Sequence, residues 1–163
     1  MVDYFLGGEG HLTPSDAAVA LIVLDDGRYL LQHRDQKPGI FYPGHWGLFG
    51  GAIDAGETPE AALKRELEEE LGLLSFAARE ITDFAFKFGR YGHIARYFFE
   101  VRLSTVEFNG LRLGEGREMR PFQARDILTI ARVVPYDSFA IWLHASGWFE
   151  KVSESSTRHP AAI

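Results

Sequence analysis

The apolar positions of this chain change period along its length, and the changes mark out its elements. Ala17 to Leu24, AAVALIVL, is a continuous apolar run rich in β-branched residues, the pattern of a strand buried on both faces. Asp26-Gly27 is a hairpin signal, and Tyr29 to Arg34 reads as the returning strand. Gln36 to Gly44 holds Pro38, Gly39, Pro43 and Gly44 and reads as loop; His45 to Phe49 is a short strand that leads into a Gly50–Gly51 turn. From Thr58 the period becomes helical. Thr58 caps the helix, Pro59 suits its first position, Leu63, Leu67 and Leu71 make one apolar stripe, and Gly72 stands where the helix stops. Ile81 to Phe88 places Phe84, Phe86 and Phe88 at period two. Tyr97, Phe99, Val101 and Leu103 repeat that period after a Gly89–Gly92 turn, which predicts two antiparallel strands with an aromatic face. Phe108 to Arg117 is glycine-rich and reads as loop, and Gln123 to Ile130 as a short helix or turn. Asp137 to Ala145 is a terminal helix apolar almost all round, and is expected to be largely buried.

Sequential strands that pair as hairpins, with helices to cover both sheet faces, predict an α/β class protein: an α/β/α sandwich around a mixed sheet. At 163 residues and 18.3 kDa the length fits one domain over residues 17–150, with residues 1–16 a lead-in and residues 151–163 a flexible tail. There is no cysteine, which removes disulfides and thiolate chemistry. A net charge of −6 argues against a polynucleotide or an anionic membrane as main partner, but not against a small phosphorylated molecule. No apolar run approaches the roughly 20 residues that span a bilayer, and no basic-then-apolar leader opens the chain, so a cytoplasmic location is expected. Oligomeric state is not written in the sequence; a homodimer is compatible with it.

The same helix carries a load of carboxylates. Glu66, Glu69 and Glu70, spaced i, i+3 and i+4, stand together beside the leucine stripe. Like charges so placed cost about 0.2–0.5 kcal/mol per pair, and more where partly buried. One reading is a solvated acidic face. The other is a site for a hard cation, Mg²⁺ or Mn²⁺, which binds few carboxylates plus substrate phosphates. The Gly50–Gly51 pair would let a main-chain carbonyl approach such an ion.

The spacing bears on that choice. Gly51, five residues, Glu57, seven residues, then Arg65-Glu66-Leu67-Glu68-Glu69-Glu70-Leu71-Gly72-Leu73 resembles the signature of the Nudix hydrolase family without a mismatch. Chance agreement at that many fixed positions is on the order of once in 10⁸ windows. The resemblance implies the Nudix α/β/α sandwich and an enzyme that hydrolyses a nucleoside diphosphate linked to another moiety. It implies that Glu66, Glu69 and Glu70, with the Gly51 carbonyl, hold the divalent metal. Arg65 and Glu57 would then form a supporting ion pair, and a carboxylate would activate water.

The family often recruits a further carboxylate from a loop downstream, which points to Glu115 and Glu118 as weaker candidates. His33 and Arg34 close a strand and contact either base and phosphate or only solvent. Phe41 and Tyr42 either stack on a base or cover the core. Arg90 and Arg96 meet substrate phosphates or are exposed strand arginines, and His45 is read as structural. Arg34, Phe41, Tyr42 and Arg90 are carried forward as candidate substrate contacts. No proline follows the signature until Pro121, and Tyr91 is not clearly at the position of the tyrosine associated with dinucleoside polyphosphate hydrolases. The expected substrate is therefore a generic nucleoside diphosphate derivative, with a nucleoside triphosphate leading. The alternative is an inactive Nudix-like domain that binds a nucleotide as a sensor or scaffold.

Overall fold

The computed structural model describes residues 14–87 and 92–149. Its centre is β1 (Ala17–Leu24), buried along its whole length. On one side β1 pairs in parallel with β6 (His93–Leu103). On the other it pairs antiparallel with β4 (Phe49–Ala52) along its first half and with β2 (Tyr29–His33) near its end. β2 in turn pairs with β3 (Trp46–Gly47) and β7 (Glu118–Phe122), while β5 (Ala78–Lys87) lies on the far edge beside β6. Mixing parallel and antiparallel neighbours around one apolar strand gives the mixed sheet that the sequence predicts.

The side-chain alternation of β1 divides the core. Ala18, Ala20, Ile22 and Leu24 pack against Leu63, Leu67 and Leu71 of α1 (Pro59–Leu71). Val19, Leu21 and Val23 pack on the opposite face with Ala140 and Ile141 of α4 (Pro135–Ala145). Period two along the strand thus sends successive residues to two helical layers. The ends of α1 are those expected: the Thr58 hydroxyl accepts the Ala61 N–H at 3.2 Å, and Gly72 closes the helix in the left-handed region.

Four expectations need correction. Gly50 and Gly51 are not a turn but residues of β4. The segment 108–117 begins inside a short helix, α2 (Thr105–Gly110), capped reciprocally by Ser104 and Glu107. The two aromatic rows of β5 and β6 face opposite ways. Phe84 stands opposite Arg96 and packs on Phe98, whereas Tyr97 and Phe99 face α1. A shift in register between Glu80 and Thr82 accompanies this pairing. Finally, α4 is not buried all round: Phe139 and Trp142 are about half exposed, at 50 % and 49 %. A remaining short helix, α3 (Ala124–Ile127), lies where a helix or turn is expected.

Candidate active site

The carboxylate helix meets the sheet at Gly50 and Gly51. A Cβ at Gly50, whose φ is +119°, would collide with the Ala18 carbonyl oxygen, so only glycine lets β4 lie against β1 here. A Cβ at Gly51 would sit 2.5 Å from the Glu66 carboxyl carbon. The two glycines are therefore the contact surface between α1 and the sheet edge.

Glu70 is 6 % exposed. One oxygen accepts the Gly50 N–H at 2.7 Å and the other accepts Gln32 Nε2 at 2.9 Å. Burial pushes its carboxyl up to about 7, against the pull of those two hydrogen bonds and of Arg34; Glu66 pushes the same way as burial. Glu66 is likewise raised by burial, opposed by Arg65, and pushed further by Glu69 and by Glu115. Glu69 is mostly exposed, its side chain at 62 %.

Arg65 ties the loop before α1 to the helix. Its Nε and Nη2 donate to Glu57 at 3.2 and 3.0 Å, Nη1 donates to Glu66 at 2.7 Å, and Nη2 also reaches the Ala52 carbonyl at 2.9 Å. Glu57 in turn accepts the Asp54 N–H. A planar guanidinium bridging two carboxylates and a carbonyl fixes their relative positions, and the hydrogen bonds it donates to Glu57 and Glu66 raise its own pKa.

Among the described residues, no three His, Asp or Glu side chains converge as placed to hold a metal ion. Glu66 faces Arg65, Glu70 faces Gln32 and Gly50, and Glu69, largely exposed, has one oxygen 4.0 Å from Arg65 Nη1. The donor set nevertheless suits a hard divalent cation in kind. It consists of carboxylate oxygens that repel one another, beside a glycine whose missing side chain leaves room at Glu66.

Of the two downstream carboxylates, Glu115 lies close enough to Glu66 to raise it. Its loop is docked on the end of α1, where Gly114 N–H donates to the Glu70 carbonyl at 2.7 Å and Arg112 N–H to Leu71. Glu118 is not in a loop: it opens β7, pairs with Arg120 at 3.0 Å and stands 4.0 Å from His33.

On the α4 side of the same glycines lies a cleft of about 340 Å³, lined by Arg34, Phe41, Tyr42, Gly50, Gly51, Phe86, Arg96 and Tyr136 among others. Arg34 is anchored there by its Nε on the Phe41 carbonyl. Tyr42 is 2 % exposed, holds a left-handed φ of +49°, and packs edge-on to His45 and Tyr136. It covers the core and shapes the cleft wall, and Phe41 lines the cleft beside it. Arg90 lies outside the described residues. His45 is held by its own loop, Nδ1 being 3.0 Å from the Pro43 carbonyl, and His33 stacks on Trp46.

Sequence reasoning missed Gln32 and Asp137. Each carried a signal: a polar residue inside an apolar strand, and an acid in the first turn of an apolar helix. Asp137 is 1 % exposed, accepts the Leu48 N–H at 2.9 Å and pairs with Arg96 at 3.0 Å.

A mixed sheet between two helical layers, with a carboxylate helix docked on a diglycine strand, defines an α/β/α sandwich of one recognisable class. The model of the NUDIX domain matches residues 14–143, and the chain belongs to that family. Its fold is similar to that of a MutT protein from Methanosarcina mazei, with a TM-score of 0.65 at 18 % identity over 92 % of this chain and 100 % of that one. It is similar also to a MutT NUDIX hydrolase from Burkholderia pseudomallei, with a TM-score of 0.63 at 26 % identity over 78 % and 95 %. In sequence it is 43 % identical over 68 residues to the nucleoside triphosphatase NudI of Escherichia coli O139:H28, covering 42 % of this chain and 47 % of that relative. The match thus spans about half the length of the curated relative.

Proposed function

We propose that this chain hydrolyses a diphosphate bond in a nucleotide, a nucleoside triphosphate being the leading substrate, with Mg²⁺ or Mn²⁺ as cofactor. The observation that carries the reading is one juxtaposition. A carboxylate edge on α1 and a cleft holding two arginines and several aromatic rings meet across Gly50 and Gly51. The family supports hydrolysis, and the name of the NudI relative supports a nucleoside triphosphate.

Glu66, Glu69, Glu70 and the Gly51 carbonyl would hold the cation. Held there, it would supply positive charge to phosphate oxygens and lower the pKa of a water. The rest falls to the chain itself. Arg34 makes no ion pair among the described residues and faces the cleft, so its charge is available to a phosphate group. Phe41 and Tyr136 line the cleft with ring surface for a base. Glu70 ties the helix to the sheet edge at the Gly50 N–H. Arg65 holds Glu66 and the Ala52 carbonyl in register. Glu69, the most exposed carboxylate of the three, has oxygens open to take the proton from the attacking water. Phosphoryl chemistry asks mainly for positioning and charge neutralisation, which this arrangement supplies.

Product release from a panel of nucleotides with Mg²⁺ tests the reading. Turnover is expected to fall at least about 100-fold in Glu69→Gln and in Glu70→Gln, with the unfolding temperature of Glu69→Gln little changed. Near-wild-type turnover in both variants overturns the assignment. Nucleotide binding without turnover by the wild type would leave the sensor alternative instead.

A further inference from the structure

We propose that Arg96 selects the base of the substrate, favouring one with an oxo group at purine C6 or pyrimidine C4 over one with an amino group there. The inference rests on the nucleotide reading above and extends it to the class of base.

The two arginines of the cleft are in different electrostatic states. Arg34 has no ion pair among the described residues, and its charge acts on both Glu70 and Tyr136. Arg96 is paired at 3.0 Å with Asp137, its one ion-pair partner among the described residues. Asp137 is in turn fixed by the Leu48 N–H. The Arg96 guanidinium lies 4.4 Å from the centre of the Tyr136 ring. A guanidinium already neutralised by a buried carboxylate attracts a phosphate weakly, because much of its field is cancelled at short range. It keeps its directional N–H groups. Such a group suits a neutral acceptor better than an anion.

The setting of Arg96 is that of a base and not of a phosphate. Tyr136, Phe86 and Ile94 line the cleft beside it and offer ring and aliphatic surface for stacking. The charged side chains lining the cleft among the described residues are the two arginines, with no carboxylate. The hydroxyls of Ser15 and Tyr136 can donate or accept and so do not discriminate. Guanine and thymine present an oxo acceptor where adenine and cytosine present an amino donor. An amino group against Arg96 would leave two sets of N–H donors facing each other without an acceptor. Loss of a matched buried hydrogen bond is where recognition sites discriminate most strongly.

The test measures dissociation constants of dGMP, dAMP, dTMP and dCMP by calorimetry on the full chain, alongside turnover of the matching triphosphates with Mg²⁺. The wild type is expected to bind dGMP over dAMP, and dTMP over dCMP, by about tenfold or more. In Arg96→Met both ratios should fall towards one. Arg96→Lys keeps a cation on Asp137 but loses the planar donor, so it should lose the ratios too, and it serves where the methionine variant fails to fold. Equal binding of oxo and amino bases by the wild type overturns the proposal. So does uniform weakening of all four nucleotides in the folded variants with the ratios kept, the mark of a phosphate contact. Oxo preference in binding without any triphosphate turnover would overturn only the hydrolase reading, and turnover without preference only this one.

Discussion

At Gly50 and Gly51, two neighbouring glycines meet different obstacles, and substitution separates them. Alanine at Gly50 meets the Ala18 carbonyl and a φ of +119°, so both sterics and backbone conformation oppose it. Gly50→Ala is expected to lose at least about 2 kcal/mol of stability, read as a lowered denaturant midpoint. Alanine at Gly51 meets only the end of the Glu66 side chain. Gly51→Ala should therefore move Glu66, cutting turnover about tenfold or more while shifting the midpoint little. Equal loss of stability in both variants would contradict this division. The same two positions show what sequence alone conveys: their glycine identity, and the place of Gly51 in the signature, were legible, but their membership of a strand was not. That depends on how closely β4 approaches β1, which is a tertiary fact.

The carboxylate helix is the element most completely written in local sequence. Cap, first-turn proline, leucine stripe and terminal glycine all lie within one segment, and each is found in place. Thr58→Ala should cost about 1 kcal/mol, and Leu67→Ala, at a fully buried position, about 2–5 kcal/mol. Both follow from thermal or urea unfolding, and a smaller loss at Leu67 than at Thr58 would refute the assignment of the stripe to the core. Elements whose form is set by distant partners were less legible. α2 lacks an apolar period and announces itself only by the Ser104 and Glu107 box. The faces of β5 and β6 depend on a register, Asp83 opposite Tyr97, that a shift near Glu80 and Thr82 helps to set. The exposed side of α4, Phe139 and Trp142, breaks the expectation drawn from its composition. At the site, the glutamates were readable from spacing. Gln32, the partner of Glu70, and the Arg96–Asp137 pair of the cleft were not singled out, because long-range pairing of β2, β6 and α4 brings them in.

On the scale of the whole molecule, one network joins residues outside the cleft. Tyr29 of β2 and His144 of α4 are 2.7 Å apart, and His144 is 2.6 Å from Glu100 of β6, which Arg102 and Arg79 also approach. Burial pushes the Glu100 carboxyl up, but hydrogen bonds from Arg102 and His144 outweigh it and hold it down at about 2. A carboxyl depressed in the folded state stabilises the fold above its unfolded value, near 4.5, and loses that contribution as pH falls towards 2. Because Arg102 and Arg79 are exposed, solvent screening reduces what their pairing with Glu100 adds to stability. Glu100→Gln should therefore lower stability by about 1–2 kcal/mol at pH 7, with the gap to wild type closing below about pH 4. A gap that stays constant from pH 7 to pH 3 would show that charge at Glu100 is not what stabilises.

The central claim concerns the other end of the sheet: that the carboxylate edge and the cleft together cleave a diphosphate bond. The most direct measurement is product release from a panel of nucleoside triphosphates with Mg²⁺, repeated after chelation and with Glu69→Gln. The account predicts hydrolysis of at least one nucleotide, abolished by chelator and reduced at least about 100-fold by the substitution. Hydrolysis that persists undiminished in the chelator and in Glu69→Gln would contradict it, as would a folded wild-type protein that hydrolyses none of the panel.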